Sequence, residues 1–214
     1  MFPALYAILD PTLIPAITKE PLAEFAAQLS DAGVELMQLR HKRATPRQLF
    51  SESRALAEQL AGTGVRLILN DRPDIAAMIG AGGVHVGQED LPVEAARAIC
   101  GSGCWVGIST HNLAQLREAN QTSADYIAVG PIFPTATKEN PDPVVGLDFL
   151  RLARRETRKP LVAIGGITIQ SAAEVFRAGA DSVAVIRDLL EAPNPGERAR
   201  EYLVIAGWSR SGRA

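Results

Sequence analysis

Residues 125–138 read DYIAVGPIFPTATK, an apolar run followed by a segment rich in proline and threonine. Tyr126-Ile127-Ala128-Val129 is a short apolar run of the kind a strand shows when both faces of a parallel sheet are covered. Gly130-Pro131 must end it. The segment that follows packs two prolines, an aromatic, two threonines and a lysine into eight residues. Pro131 and Pro134 stiffen it before anything binds. In an extended segment Thr135 and Thr137 face one side, around Ala136, and Lys138 adds a point charge beside them. Hydroxyls and an ammonium so placed suit phosphate oxygens. A solvated Pro/Thr-rich turn is the plainer interpretation, and the remainder of the chain argues against it.

Working outward, seven further runs match the first. They are Ala4–Leu9, Leu36–Leu39, Leu67–Leu69, Val84–Val86, Trp105–Ile108, Leu161–Ile164 and Ser182–Ile186. The intervals between them carry helical periodicity. Leu22, Phe25, Ala26 and Leu29 share one face, as do Leu49, Ala55, Leu56 and Leu60 with some drift. Asp31-Ala32-Gly33, Ala81-Gly82-Gly83 and Ala178-Gly179-Ala180 read as helix stops. Runs recur every ~20–30 residues, the length of a strand plus its returning helix. Eight β/α units in one domain predict a single-domain (β/α)8 TIM barrel. A doubly wound open sheet is the alternative, but the first run leads into Asp10-Pro11-Thr12 rather than a glycine-rich dinucleotide turn. The barrel is expected over residues 1–207, with 208–214 as a frayed tail.

Composition narrows the function. The 214 residues are 47% hydrophobic and 21% charged, enough for a sizeable core. A net charge of −2 offers no electrostatic footprint for nucleic acid. The sequence has no membrane-length apolar run and no signal-type amino terminus, so the expected location is cytoplasmic, without a membrane partner. Cys100 and Cys104 lack companion histidines at metal spacing and read as reduced thiols.

In a barrel, the residues just after each run gather at one rim. Here they are Gln38-Leu39-Arg40-His41-Lys42, Asn70-Asp71-Arg72, His85 through Asp90, Ser109-Thr110-His111, the Thr135–Lys138 loop and Gly165-Gly166-Ile167-Thr168. Alternation puts Gln38, Arg40 and Lys42 on one side. Helix capping accounts for any one of these groups, but not for six in succession. Asp71 and Asp90, from neighbouring strand ends, are two hard oxygen ligands with room for waters, suited to Mg2+ shared with substrate phosphates. Two solvated loop acids are the alternative. Gly165-Gly166 lets backbone N–H groups approach a phosphate where barrels often hold one. Two anionic centres follow. Arg40, Lys42, Lys138 and a metal match a pyrophosphate, whereas Thr135, Thr137 and the glycine pair match a monophosphate.

These pieces together resemble the thiamine phosphate synthase family of (β/α)8-barrel enzymes. The matching segments are QLRHK (38–42), LNDR (69–72), GVHVGQEDL (83–91), GIST (107–110), VGPIFPTATK (129–138) and AIGGI (163–167), in family order from Leu5 to Leu190. The resemblance implies an alkyl transfer that joins hydroxymethylpyrimidine pyrophosphate to thiazole phosphate and releases pyrophosphate. It implies that the 38–42 segment, Asn70, Ser109 and Lys138 hold the pyrimidine pyrophosphate, with Arg40, Lys42, Ser109 and Lys138 acting on the reaction. Asp71 and Asp90 would ligate Mg2+. Thr135, Ala136, Thr137, Gly166, Ile186 and Arg187 would surround the thiazole phosphate. Both partners are small phosphorylated molecules, and a homo-oligomer stays open.

Three positions depart from the family pattern. Leu9 stands for a first-strand threonine, His41 for a common acid, and Arg187 for a serine. An inward Arg187 would add charge to the phosphate site; an outward one would pair with Asp188 or Glu191. The chemistry asks for no protein nucleophile, because the electron-rich aminopyrimidine can stabilise a carbocation-like centre as pyrophosphate departs. Two rival functions share this barrel: a thiazole tautomerase, for which His111 would be the proton-transfer group, and a non-catalytic sensor of thiamine-type phosphates.

Overall fold

Eight parallel strands close on themselves in sequence order, β1 beside β2 and so round to β8 beside β1. They are β1 (Leu5–Leu9), β2 (Leu36–Leu39), β3 (Arg66–Asn70), β4 (Gly83–Val86), β5 (Trp105–Thr110), β6 (Tyr126–Val129), β7 (Leu161–Ile164) and β8 (Ser182–Val185). The computed structural model describes residues 1–14, 21–135 and 142–211. Helices α1 (Leu22–Asp31), α2 (Pro46–Leu60), α3 (Pro73–Ile79), α4 (Val93–Cys100), α5 (Leu113–Gln121), α6 (Gly146–Glu156) and α7 (Ile169–Arg177) return the chain between strands. A short α8 (Arg187–Leu190) follows β8, and α9 (Pro195–Ser211) closes the outer layer against α7 and α1. The barrel reading of the sequence is therefore correct, and the open sheet is excluded.

The strands are apolar on both faces because each face has its own core. Outward residues such as Leu39, Leu69, Val86 and Val129 pack under the helices. Inward residues Tyr6, Ile8, Leu36, Ile68, Tyr126, Ala128, Val162 and Ala184 fill the barrel. At the amino-terminal end, Phe2 stacks on Trp105 at 5.3 Å between ring centroids, and the Arg66 guanidinium lies 4.0 Å from the Trp105 ring centroid. Cation and ring together cover that end of the barrel core.

Some local expectations need correcting. Ala55 is exposed on α2, and Ser53 takes its place in the buried face, its hydroxyl donating to Phe50 O at 3.1 Å. That bond lets a polar residue occupy a core position. The stop of α3 is Gly80, at φ +65°, rather than Ala81-Gly82-Gly83. Gly82 and Gly83 instead lead into and begin β4, where side chains would strike Arg66, Ile68 and the Trp105 carbonyl. α9 runs past residue 207 to Ser211. It is anchored by Asp188, which accepts bonds from Arg198 Nη1 and Tyr202 Oη, each at 2.8 Å.

Gly107 has no strand-breaking role. It sits in β5 opposite Tyr126, and a Cβ there would stand 2.0 Å from Tyr126 Cζ and 2.4 Å from its hydroxyl. The ring occupies the place of a missing side chain. Overpacking of this kind typically costs about 1–3 kcal/mol. Gly107→Ala is accordingly expected to lower stability by that amount in urea melts, and an unchanged midpoint would mean that the ring moves aside freely.

Candidate active site

The cationic rim residues are held by acids. Arg40 Nη1 lies 3.3 Å from Asp10 Oδ2. Asp10, only 6% exposed at the end of β1, also accepts from Thr12 N at 2.9 Å and Thr12 Oγ1 at 2.6 Å. With one carboxylate oxygen tied to the turn, the other is aimed at the guanidinium. Lys42 Nζ bonds Asp71 Oδ2. The strand alternation expected from QLRHK holds: Gln38 is buried inside, whereas Leu39 packs into the outer core. His41 bonds Glu52 of α2 at 2.7 Å. The side chains of Leu39 and His41 therefore point away from the group formed by Arg40, Lys42 and Asp10.

Asp71 and Asp90 come together as expected. Asp90 lies within hydrogen-bonding reach of Asp71 and accepts from Gly87 N at 2.8 Å. Burial raises the Asp71 carboxyl above its usual range; Lys42 opposes this shift and Asp90 reinforces it. Asp71 also holds φ +60°, alone among the described non-glycine residues, with its N–H donating to His85 O at 2.8 Å. Left-handed backbone is tolerated better by aspartate than by most side chains. It turns the carboxyl toward Asp90 instead of toward α3, whose N-cap is Arg72. Two half-buried carboxylates brought this close suit a divalent cation. Among the described residues no third acid, histidine or cysteine completes a cage, so the remaining positions fall to water and substrate oxygens.

Beneath the rim, the barrel interior holds an unbroken polar chain. Gln38 Nε2 donates to Tyr6 Oη at 2.7 Å, and Tyr6 Oη lies 2.9 Å from Tyr126 Oη. Tyr126 Oη is 3.0 Å from His85 Nδ1, and His85 Nε2 is 2.8 Å from Ser109 Oγ. Burial pulls the His85 imidazole down to about 4, so it is neutral near pH 7. Burial likewise raises both phenols well above their usual range. Asn70 pairs in register with His85 at the same level.

The loop after β6 is braced on both sides. Ile132 N donates to Ile164 O at 2.9 Å and Phe133 N to Gly165 O at 3.0 Å. Gly165 and Gly166 take φ +98° and +63°, and a Cβ on Gly166 would stand 2.4 Å from Pro134 O. The glycine pair thus lets the 131–134 segment lie directly on the β7 loop. His111 Nδ1 donates to Gly130 O at 2.6 Å, and its Nε2 lies 3.5 Å from Asp142 Oδ2. It clasps the two sides of this loop. Thr135 is half-buried at the described edge; Ala136, Thr137 and Lys138 lie outside the described residues.

At the end of β8, Ile186 precedes α8 and Arg187 turns outward, with Nη1 3.0 Å from Glu191 Oε1. Asp188, the other partner considered, is taken by Arg198. Thr168 precedes α7, and its N–H donates to Ser171 Oγ at 3.1 Å. It is a helix-start residue. The free thiol of Cys104 is pushed up to about 12, first by burial and then by Cys100, which leaves it inert.

Sequence reasoning gave no role to Asp10, Tyr6 or Tyr126, and named His85 only as a strand-end residue. The available signal was parity. Tyr6, His85 and Tyr126 lie on the inward face with Gln38 and Ser109, and polar side chains there must find one another.

Comparison with known proteins agrees with the geometry. Residues 5–189 match the family model described as thiamine monophosphate synthase. The thiamine-phosphate synthase of Koribacter versatilis is 50% identical over 204 residues, covering 95% of each chain. That of Chloroflexus aurantiacus is 43% identical over 173 residues, covering 81% of this chain and 80% of its own. The solved thiamine phosphate pyrophosphorylase of Pyrococcus furiosus superposes with a TM-score of 0.85 at 30% identity, covering 96% of each chain.

Proposed function

This chain belongs to the thiamine monophosphate synthase family, and we propose that it joins hydroxymethylpyrimidine pyrophosphate to thiazole phosphate with Mg2+ held by Asp71 and Asp90. The observation that carries the reading is the single rim where Arg40, Lys42, Asp71 and Asp90 converge. It supplies the cations and the carboxylate pair that a departing pyrophosphate requires. When bound, the metal supplies charge neutralisation to the pyrophosphate oxygens.

The chain's own residues do the rest by placement. Asp10 holds Arg40 at the rim, so the guanidinium is pre-positioned to meet the growing charge. Lys42 bonds Asp71, and a dication held by Asp71 would free the Lys42 ammonium for the pyrophosphate. Ser109 and Gln38 sit on the interior floor, where the pyrimidine ring would rest. The glycine pair and the Ile186–Arg187 backbone flank the thiazole phosphate, beside Thr135. Ser109 Oγ lies beside His85 Nε2, but the other ring nitrogen of His85 meets the Tyr126 hydroxyl rather than a carboxylate, so the pair forms no Ser-His-acid triad, and the reaction needs no protein nucleophile.

Two details favour synthesis over the tautomerase alternative. The pyrophosphate residues Arg40, Lys42, Asn70 and Asp71 are all present. His111 is engaged with Gly130 and the Asp142 carboxylate in holding the loop. The decisive experiment is incubation of purified protein with both substrates and Mg2+. Formation of thiamine phosphate is expected, and its absence from folded, metal-loaded protein would refute the reading.

Arg187 provides a second test. Its side chain is paired with Glu191 and 42% exposed, so the phosphate contact at β8 rests on backbone. Exposed pairs of this kind contribute about 0–1 kcal/mol. Arg187→Ser is therefore expected to change affinity for thiazole phosphate less than about fivefold across a salt series. A loss of a hundredfold would place the guanidinium on the phosphate.

A further inference from the structure

We propose that the buried chain Gln38–Tyr6–Tyr126–His85–Ser109 is a one-way hydrogen-bond relay that fixes Ser109 as a hydrogen-bond donor to the bound substrate, with His85 and the two tyrosines as positioning residues. The inference deepens the synthase reading and rests on it for the identity of the ligand, whereas the polarity of the relay rests on the Gln38 amide, whose Nε2 faces Tyr6 Oη.

Gln38 Nε2 can only donate, so Tyr6 Oη accepts from it at 2.7 Å. The Tyr6 hydroxyl hydrogen must then find an acceptor inside a fully buried site. Tyr126 Oη, at 2.9 Å, is its other hydrogen-bond partner among the described residues. With Tyr126 accepting from Tyr6, its own O–H is left to donate, and His85 Nδ1 at 3.0 Å receives it. A neutral imidazole that accepts at Nδ1 carries its hydrogen on Nε2. His85 Nε2–H therefore donates to Ser109 Oγ at 2.8 Å. Ser109 has accepted once, and its hydroxyl hydrogen remains for the ligand. With the Gln38 amide turned so that Nε2 faces Tyr6, reversing the chain would leave Tyr6 accepting twice with a buried hydrogen that has no partner, a cost of about the full desolvation of that donor.

Five strands converge to allow this. β1, β2, β4, β5 and β6 each present an inward side chain, and Gly107 leaves the space that the Tyr126 ring fills. The ring of His85 stacks beside Tyr126 at 5.5 Å between centroids, which keeps Nε2 aimed at Ser109. The barrel floor is thus a polar strut in an otherwise apolar core. Polar groups in such a core specify orientation only when every member is satisfied. Here the last donor is satisfied by substrate.

The test is nitrogen NMR of protein with 15N-labelled histidine. The chain has three histidines, His41, His85 and His111, and the His85 signals are those absent from His85→Gln. The relay predicts a neutral His85 with the hydrogen on Nε2 and a hydrogen-bonded, unprotonated Nδ1. A hydrogen on Nδ1 would overturn the proposal, whatever the protein turns out to catalyse.

A double-mutant cycle reads the consequence for binding of pyrimidine pyrophosphate. Tyr126→Phe is expected to weaken affinity about tenfold in the wild-type background, the scale of one lost hydrogen bond. In a Ser109→Ala background it should add almost nothing, because the residue it orients is already gone. Full, additive losses would show that Tyr126 serves only packing and would overturn the positioning role. If the protein bound no pyrimidine pyrophosphate at all, the synthase reading would fail while the tautomer result still decided the relay.

Discussion

Asp71→Asn is expected to lower kcat/KM by at least about a hundredfold at saturating Mg2+ and to weaken Mg2+ binding by a similar factor. Losing a group that merely orients a metal ligand already costs about 10–100-fold, and Asp71 is proposed as a ligand itself. The choice of asparagine matters because Asp71 holds φ +60°. Asparagine tolerates that backbone, so the substitution removes charge and leaves the turn intact. Asp71→Ala adds backbone strain of roughly 1–2 kcal/mol. If asparagine and alanine were equally stable, the left-handed turn would not be straining the alanine. Calorimetric titration with Mg2+ alone checks the asparagine variant. Wild-type affinity in that titration, with undiminished turnover in excess chelator, would sink the assignment of Asp71 as a ligand.

Arg40→Ala should act on the chemical step more than on binding. A cation about 4 Å from a unit charge contributes on the order of 4 kcal/mol at an effective dielectric near 20. The bound substrate already carries charge, so the ground state shares most of that interaction. Only the increment that appears as the C–O bond breaks accelerates the reaction. Losing one preorganised donor to a developing oxyanion typically costs about 10²–10³ in kcat. Arg40→Ala is placed in that range, with a smaller change in substrate affinity. Arg40→Lys should recover little, because the geometry set by Asp10 serves a guanidinium fork and an ammonium is a point charge. Rapid-quench kinetics separate the two effects. A variant with raised KM and unchanged single-turnover rate would show that Arg40 only binds.

The barrel was legible from sequence because its strands are covered on both sides and read as unbroken apolar runs at regular intervals. Tyr126–Val129, ended by Gly130-Pro131, matches its run to the residue. Strand ends were less so. β5 continues through Thr110 because Ser109 pairs with Ala128 and Thr110 with Val129, pairings that local propensity does not contain. The rim acids and cations were legible because parity and position after a run suffice to gather them. Their partners were not. Asp10 looked like part of a turn, and only the closed barrel brings β1 beside β2 so that it meets Arg40. The interior relay joins residues from five strands, with hydroxyl and ring nitrogen atoms meeting across up to 120 positions of sequence. Nothing local marks such a chain except that each member faces inward. Arg187 was open in either direction until the turn into α8 placed it one helical turn from Glu191.

In the proposed reaction this rim works on the leaving group: departure of pyrophosphate is what the cations and a metal on the two carboxylates would promote. The most direct measurement is single-turnover release of pyrophosphate from hydroxymethylpyrimidine pyrophosphate in the presence of thiazole phosphate, followed with Mg2+ and again with excess chelator. The account predicts release and thiamine phosphate formation with Mg2+, and collapse of both in chelator. Equal release rates in the two conditions would contradict it.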